Sequence, residues 1–215
     1  MKLKIVIIDY GLGNIKSLKN SIKSNEVNVE VSNNKSKILS ADGIILPGVG
    51  AFSEGMKNFN KYNLKPVLDI YIDSNRPLLG ICLGMQLLFE SSEEFGFSKG
   101  IGYIEGKVEK LKRVVKMPHI SWNGIAQKKI GWEDSILNEI NSNTDFYFIH
   151  SFVPVPKNDL NILSVTSYYD QVFCSSVKKN NIYGTQFHPE KSGSQGLKIM
   201  LNFIKICKKF RDARK

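Results

Sequence analysis

Hydrophobic and polar positions along this 215-residue chain fall into two regimes. In the first half, short apolar runs alternate with stretches of helical period. Residues 3–9 (LKIVIID) form a near-continuous apolar run, as expected of a strand buried on both faces. Over 14–24, Ile15, Leu18 and Ile22 share one helical face. Residues 27–31 alternate as a second strand, and 43–46 form a third, ended by Pro47-Gly48. Residues 53–73 predict one or two helices, with Pro66 a break or a start. Residues 77–81 are a fourth strand, which runs through Gly80-Ile81-Cys82-Leu83-Gly84 into an apolar helix over 85–90. The second half is richer in strands, expected at 103–111, 118–126, 145–150, 161–167, 171–178 and 181–187. A last helix over 193–208 places Leu197, Met200, Leu201 and Ile204 at helical spacing.

Strands alternating with helices predict a parallel sheet covered on both faces. The closely spaced strands that follow predict antiparallel additions to it. No internal repeat or low-complexity linker interrupts the chain, so residues 1–215 read as one α/β domain. No apolar run is long enough to span a bilayer. The N-terminal apolar run covers only Ile5 to Ile8 and ends at Asp9 without a small-residue cleavage site, so it reads as a first strand and not as a signal peptide. A cytoplasmic protein is expected.

Composition changes this picture little. The hydrophobic fraction of 42% is that of an ordinary globular chain. The formal net charge of +10 raises nucleic-acid binding. The lysines are scattered, however, with dense stretches only at 107–116 and 208–215, and no basic-and-aromatic recognition module accompanies them. The charge therefore reads as a solvated surface, with neither nucleic acid nor membrane as a partner. Three cysteines at irregular spacing, Cys82, Cys174 and Cys207, fit neither a disulfide framework nor a zinc site. Cys174 in a strand pattern and Cys207 on the last helix read as structural. No cluster has metal-ligand spacing, and no cofactor is expected. Gly11-Leu12-Gly13 resembles part of a dinucleotide fingerprint, but Lys16 stands where the third glycine belongs, so it reads as a tight turn.

Candidate chemistry begins at Gly80-Ile81-Cys82-Leu83-Gly84. A cysteine between two glycines at a strand-to-helix junction is the thiol counterpart of a nucleophile elbow. The tight turn needs small neighbours. The side chain then projects above the carboxyl edge of the sheet, where open α/β folds place ligands, and the following helix N-terminus favours a thiolate. A cysteine nucleophile needs a base, and the base needs an orienting group. His188-Pro189-Glu190 supplies both at the end of the strand 181–187, with Pro189 stiffening the turn between them. The loop Pro47-Gly48-Val49-Gly50-Ala51-Phe52 follows the strand 43–46 along the same edge. Its glycines let backbone N–H groups approach a ligand, as an oxyanion hole requires. The N–H of Leu83, just after the nucleophile, is the natural second donor.

These segments resemble the class I, triad-type glutamine amidotransferases, and within them the glutaminase subunits of imidazole glycerol phosphate synthases. The resemblance runs through essentially the whole chain. It rests on Asp9-Tyr10-Gly11-Leu12-Gly13-Asn14, on the 46–52 loop, and on the cysteine elbow extended to Met85-Gln86. It continues in Pro118-His119-Ile120-Ser121-Trp122-Asn123, in Phe146-Tyr147-Phe148-Ile149-His150-Ser151 and in Gln186-Phe187-His188-Pro189-Glu190-Lys191-Ser192. It implies an open, twisted, mostly parallel mixed sheet of flavodoxin-like type with helices on both faces. It implies that Cys82 attacks the side-chain amide of L-glutamine, that His188 shuttles protons and that Glu190 orients it. Val49, Gly50 and Leu83 would serve the oxyanion, with Gln86, His150 and Ser151 near the substrate. Ammonia would pass to a barrel-type cyclase subunit in a heterodimer, with His119, Trp122, Asn123 and Lys191 at the interface. Two positions depart from the usual pattern: Ser121 replaces a glycine, and Phe152 replaces a tyrosine. Neither touches the triad. Related glutaminases that feed ammonia to amidotransferases of nucleotide-sugar or surface-sugar synthesis share the same motifs, so the ammonia acceptor stays open at this level.

Overall fold

The computed structural model describes residues 2–22, 26–112 and 115–214. In chain order the elements are β1 (Leu3–Ile8), α1 (Ile15–Ser21), β2 (Val27–Ser32), α2 (Lys35–Leu39), β3 (Gly43–Leu46), α3 (Phe52–Lys61), α4 (Leu64–Asp73), β4 (Leu78–Ile81) and α5 (Leu83–Leu87). Then come β5 (Phe89–Ser92), β6 (Ser98–Lys99), β7 (Ile104–Lys110), β8 (His119–Gln127), β9 (Thr144–His150) and β10 (Phe152–Pro156). The chain closes with β11 (Ile162–Tyr168), β12 (Gln171–Lys179), β13 (Ile182–Thr185) and α6 (Gly193–Asp212).

A nine-stranded sheet has the order β2-β1-β3-β4-β13-β12-β11-β8-β9. Strands β2, β1, β3, β4 and β13 pair in parallel, and β13, β12, β11, β8 and β9 pair antiparallel. Period-2 alternation sorts the parallel strands between two cores. Ile5, Ile7, Ile45 and Leu79 face Leu18, Ile199, Met200 and Phe203 on one side. Val6, Ile8, Ile44, Leu46 and Leu78 face Phe52, Phe59, Leu68 and Leu87 on the other. Both faces are apolar, so the strands read as unbroken apolar runs.

Several boundaries differ from the sequence expectation. The helical stretch 53–73 is two helices, broken by Asn63 in the left-handed region (φ 48°). Pro66 lies in the first turn of α4, where its missing N–H leaves no bond unmade. The helix expected at 85–90 ends at Leu87, and Phe89 instead pairs with Ile104 in a second sheet of order β10-β7-β5-β6. This smaller sheet was not foreseen. Its strand β10 carries Pro154 and Pro156, which demote a strand reading, and it tolerates them because it lies at the sheet edge. Helix α2 is too short for a periodic signal and is fixed by its cap, Asn34 Oδ1, which accepts from Ser36 N at 3.0 Å and Lys37 N at 3.3 Å. Residues 23 and 24 of the helix expected over 14–24 lie outside the described residues. Among the described residues, no helix is long and apolar enough to cross a membrane.

The junction of β4 and α5 is packed at backbone distance. A Cβ on Gly84 would lie 1.9 Å from the carbonyl oxygen of Leu46, and one on Gly80 would lie 2.8 Å from the backbone of Met85. Neither obstacle is a side chain that could turn away. Gly84→Ala should therefore cost about 3 kcal/mol or more, a fall in Tm of roughly 6–12 °C for a chain of this size. Thermal unfolding followed by circular dichroism reads this directly, and an unchanged Tm would show that α5 has room to shift.

Candidate active site

Four parallel strands end on one edge of the large sheet, and their following loops meet there. Cys82 follows β4 with φ 53° and ψ −112°, an uncommon conformation for a residue with a side chain. Two bonds hold the turn: Cys82 N donates to Thr185 O at 2.7 Å, and Gln86 N donates to Cys82 O at 3.1 Å. His188 follows β13, and its N–H donates to Tyr147 O at 3.0 Å. Ser192 ties the same turn down, donating from Oγ to His188 O at 2.7 Å and accepting from Tyr147 N at 3.0 Å. The loop after β3 is anchored by Tyr10, whose buried hydroxyl donates to Pro47 O at 2.6 Å. Burial, and then Cys82 nearby, push the Tyr10 hydroxyl well above its usual range, so it stays a donor.

His188 Nδ1 lies 2.8 Å from Glu190 Oε1, with the two side chains only 2% and 4% exposed. The carboxylate accepts, so Nδ1 carries a proton and Nε2 is the nitrogen turned away from Glu190. Nε2 is buried and has no hydrogen-bond partner among the described residues. Burial is the largest single influence on this imidazole and opposes its charge. Cys82 and then Glu190 outweigh it and push the pKa up to about 10.

The cavity around them has a volume of about 190 Å³ and includes Val49, Gly50, Leu83, Gln86, His150 and Ser151 in its wall. That is smaller than the ~300–1,000 Å³ usual for drug-sized ligands, so it suits a single amino acid better than a peptide. A larger groove of about 640 Å³ lies beside the C-terminal half of α6, against Asp134, Tyr183 and Lys205, and none of Cys82, His188 and Glu190 lines it. Size does not mark the reactive site here. Among the described residues, no group of His, Cys, Asp and Glu could hold a metal ion.

Thus the residues expected at the reactive edge do come together, with changes of detail. Gln86 Nε2 is used internally, donating to Phe152 O at 2.9 Å and to Gln186 Oε1 at 3.0 Å, so what it can turn to the cavity is its oxygen. His150 lines the cavity but has both ring nitrogens engaged: Nδ1 lies 3.1 Å from Phe152 O, and Nε2 lies 3.1 Å from His119 Nδ1. Burial, then His119, push its pKa down to about 3, so it stays neutral and is a wall rather than a base. His119 was expected at a partner interface. It is instead fully buried, stacked on Tyr168 at 3.9 Å, with Nε2 2.8 Å from the side-chain amide of Asn123. Alternation along β8 turns it inward and turns its neighbours Ile120 and Trp122, each 53% exposed, outward.

One residue escaped the sequence reading altogether. Glu94 lies just beyond β5, lines the cavity, and accepts from Phe52 N at 2.7 Å at the start of α3. Its distance in sequence from every motif hid it. A carboxylate brought by a sheet that pattern alone did not reveal leaves no local signal.

The chain matches the family described as glutamine amidotransferase class-I over residues 6–207. It belongs to the class-I glutamine amidotransferases. A relative from Aquifex aeolicus named imidazole glycerol phosphate synthase subunit HisH is 41% identical over 208 residues, covering 96% of this chain and 99% of its own. A HisH 2 subunit from Methanococcus maripaludis is 44% identical over 204 residues, covering 94% and 98%. Among solved structures, a putative GMP synthase component from Thermoplasma acidophilum superposes with a TM-score of 0.74 at 23% identity, covering 100% of this chain and 98% of the other. PurLQS from Thermotoga maritima gives 0.72 at 17% identity, covering 95% and 99%. At such identities these two neighbours speak for the fold alone. The fold is that of other glutamine amidotransferases, and this amidotransferase carries its thiol, imidazole and carboxylate on one sheet edge.

The raised pKa of His188 has two charged causes, and Cys82→Ala removes one of them while burial remains. The His188 pKa should therefore fall well below about 10 in that variant. Histidine Hε1 shifts in NMR, followed against pH, measure it. An unchanged titration would mean that thiol and imidazole are not coupled.

Proposed function

We infer that this chain is the glutaminase subunit of an imidazole glycerol phosphate synthase, with Cys82 as nucleophile, His188 as proton shuttle and Glu190 as its orienter. The observation that carries the chemistry is the pair at one cavity wall: Cys82, and a His188 whose Nδ1 is held by Glu190 and whose Nε2 is left over. The pathway assignment rests on HisH relatives near 40% identity over nearly the whole chain.

Cys82 Sγ, its proton already passed to His188 Nε2, attacks the side-chain amide carbon of L-glutamine as a thiolate. The oxyanion that forms is met by backbone N–H groups of Leu83 and of the Val49–Gly50 loop. His188 then gives its proton to the leaving nitrogen, the C–N bond breaks, and ammonia departs from a thioester. Water, deprotonated by His188, hydrolyses the thioester to glutamate. Glu94 is the acidic side chain in the cavity wall, and we assign it to the α-ammonium of the substrate. Gln86 and the segment His150–Ser151 hold the rest of the amino-acid end.

Ammonia passes to a barrel-type cyclase subunit. The surface beside the cavity suits such a partner. Ile120 pairs with Ile149 and Trp122 with Tyr147 on the outward face of β8 and β9, with Lys191 Nζ 5.7 Å from the Tyr147 ring centre. Exposed aromatic and aliphatic side chains beside one cation are typical of an interface core. Asn123, expected at the same interface, lies on the opposite face of β8, against His119. Delivery of ammonia to a sugar amidotransferase is the second reading; it shares the triad and differs only in the partner.

Glutamate release by the chain alone and with the histidine-pathway barrel subunit tests the assignment. Strong stimulation by that partner with its ribotide ligand is expected; stimulation only by a different amidotransferase would move the chain to sugar amidation. Cys82→Ala should abolish hydrolysis and keep partner binding. His188→Ala should lose roughly 10²–10⁴ in kcat, and Glu190→Ala less, since orienting contributes less than proton transfer. The reverse order would contradict the roles given. Glu94→Gln keeps an acceptor for Phe52 N and removes the charge. It should raise KM for glutamine about tenfold or more with little change in kcat. An unchanged KM would remove Glu94 from the substrate site.

A further inference from the structure

Gln186 is a fully buried polar side chain that no step above uses. It follows β13, two residues before His188, and its backbone N donates to Ser175 O at 2.9 Å. Its side chain runs to the nucleophile, with Nε2 at 3.8 Å from Cys82 Sγ. At the other end, Gln186 Oε1 accepts from Gln86 Nε2 at 3.0 Å, and Gln86 Nε2 also donates to Phe152 O at 2.9 Å.

The polarity of this chain of amides is set by its far end. Phe152 O can only accept, so Gln86 must present its NH₂ group there. The second N–H of that group meets Gln186, which must present its oxygen. Gln186 therefore turns its own NH₂ toward the sulfur. Ile149 O lies 4.0 Å from the same sulfur. A carbonyl favours the thiol, whose S–H it accepts, whereas an amide N–H favours the thiolate. A donor bound to an ionised acceptor is about twice as strong as a neutral pair, and in a buried site an unsolvated charge is costly without such a partner.

We propose that Gln186 is a positioning residue for the nucleophile, its N–H holding Cys82 Sγ toward His188 and supplying the thiolate with a donor, with Gln86 fixing the direction of that donor. Gln86 thus acts on both sides of the reaction, toward the substrate through its oxygen and toward the nucleophile through Gln186. The proposal rests on Cys82 being the nucleophile. The titratable groups around that thiol are His188, with Glu190 behind it, after β13; His150 at the end of β9; Tyr10 after β1; and Glu94 and Lys191 in the cavity wall. Gln186 is uncharged, so its loss leaves all of these in place.

The test is the rate of alkylation of Cys82 by iodoacetamide between pH 5 and 10, read by mass spectrometry of the Cys82 peptide, in the native chain, Gln186→Met and Gln186→Glu. The native chain is read first. If its Cys82 reacts no faster than a small free thiol near neutral pH, the nucleophile reading fails and this proposal with it. Given fast native reaction, Gln186→Met should move the alkylation midpoint up by about one pH unit and slow the reaction at neutral pH about tenfold. Gln186→Glu, nearly the same in shape, should slow it further, because a carboxylate then faces the thiolate. In the complex with the synthase partner, kcat for glutamine hydrolysis should fall by a similar factor while KM stays within about twofold. Folded variants with a lower Tm and a native alkylation profile would make Gln186 a packing residue and overturn the proposal. Should Gln186→Met not fold, Gln186→Glu carries the comparison alone.

Discussion

The contact between the backbone of α5 and the end of β3 governs this molecule. Gly84 sits so close to the Leu46 carbonyl that any side chain there would strike it. That approach brings the first turn of α5 against the end of β3, and the chain turns at Cys82, two residues earlier, with a positive φ. The nucleophile candidate and the loop that would stabilise its oxyanion are thus positioned by one backbone contact. Tyr10 then holds that loop from β1, and Thr185 O holds Cys82 from β13. One neighbouring strand thus ties down the loop after β3 and another the turn at Cys82, so both stand on the sheet edge.

Environment divides the labour among the three histidines of the chain. His119 and His150 bond to each other inside an aromatic cluster with Phe148, Tyr168 and Phe173, and burial keeps them neutral. His188 is equally buried, yet it is charged readily, because Glu190 and Cys82 stand on either side of it. One residue type therefore yields two neutral struts and one ring that readily holds a charge. The difference lies in the partners each ring meets and not in the depth at which it is buried.

The alternation of apolar runs and helical periods made the parallel half of the sheet legible, because strands buried on both faces leave an unbroken apolar signature. The cysteine elbow and the His-Pro-Glu turn were legible for a different reason: each concentrates its constraint in a few adjacent residues. What stayed hidden depended on distant pairing. The strand at Phe89–Ser92 begins inside the helix expected over 85–90 and shows itself only with Ile104 beside it, and β10, which carries two prolines, is absent from the expected strands. Glu94 carries no local mark of its place, since it meets Phe52 N from forty-two residues away, and Gln186, though inside the His-Pro-Glu segment, shows its partner Cys82 only in the fold. His119 was misplaced because a motif fixes which residue occurs at a position, whereas the side of the strand it faces follows from the register of β8 against β9 and β11.

The cavity is walled by two separate sheets. Cys82, His188 and the loop after β3 come from the nine-stranded sheet, while Glu94 and Phe152 come from the four-stranded one, and the chain passes from the first to the second at Ser151. A small molecule bound there touches both layers at once and becomes a mechanical tie between them. Occupancy by such a ligand stabilises the joined pair of sheets by mass action, more so the higher its concentration stands above its dissociation constant, so the two layers are held together best while the site is filled.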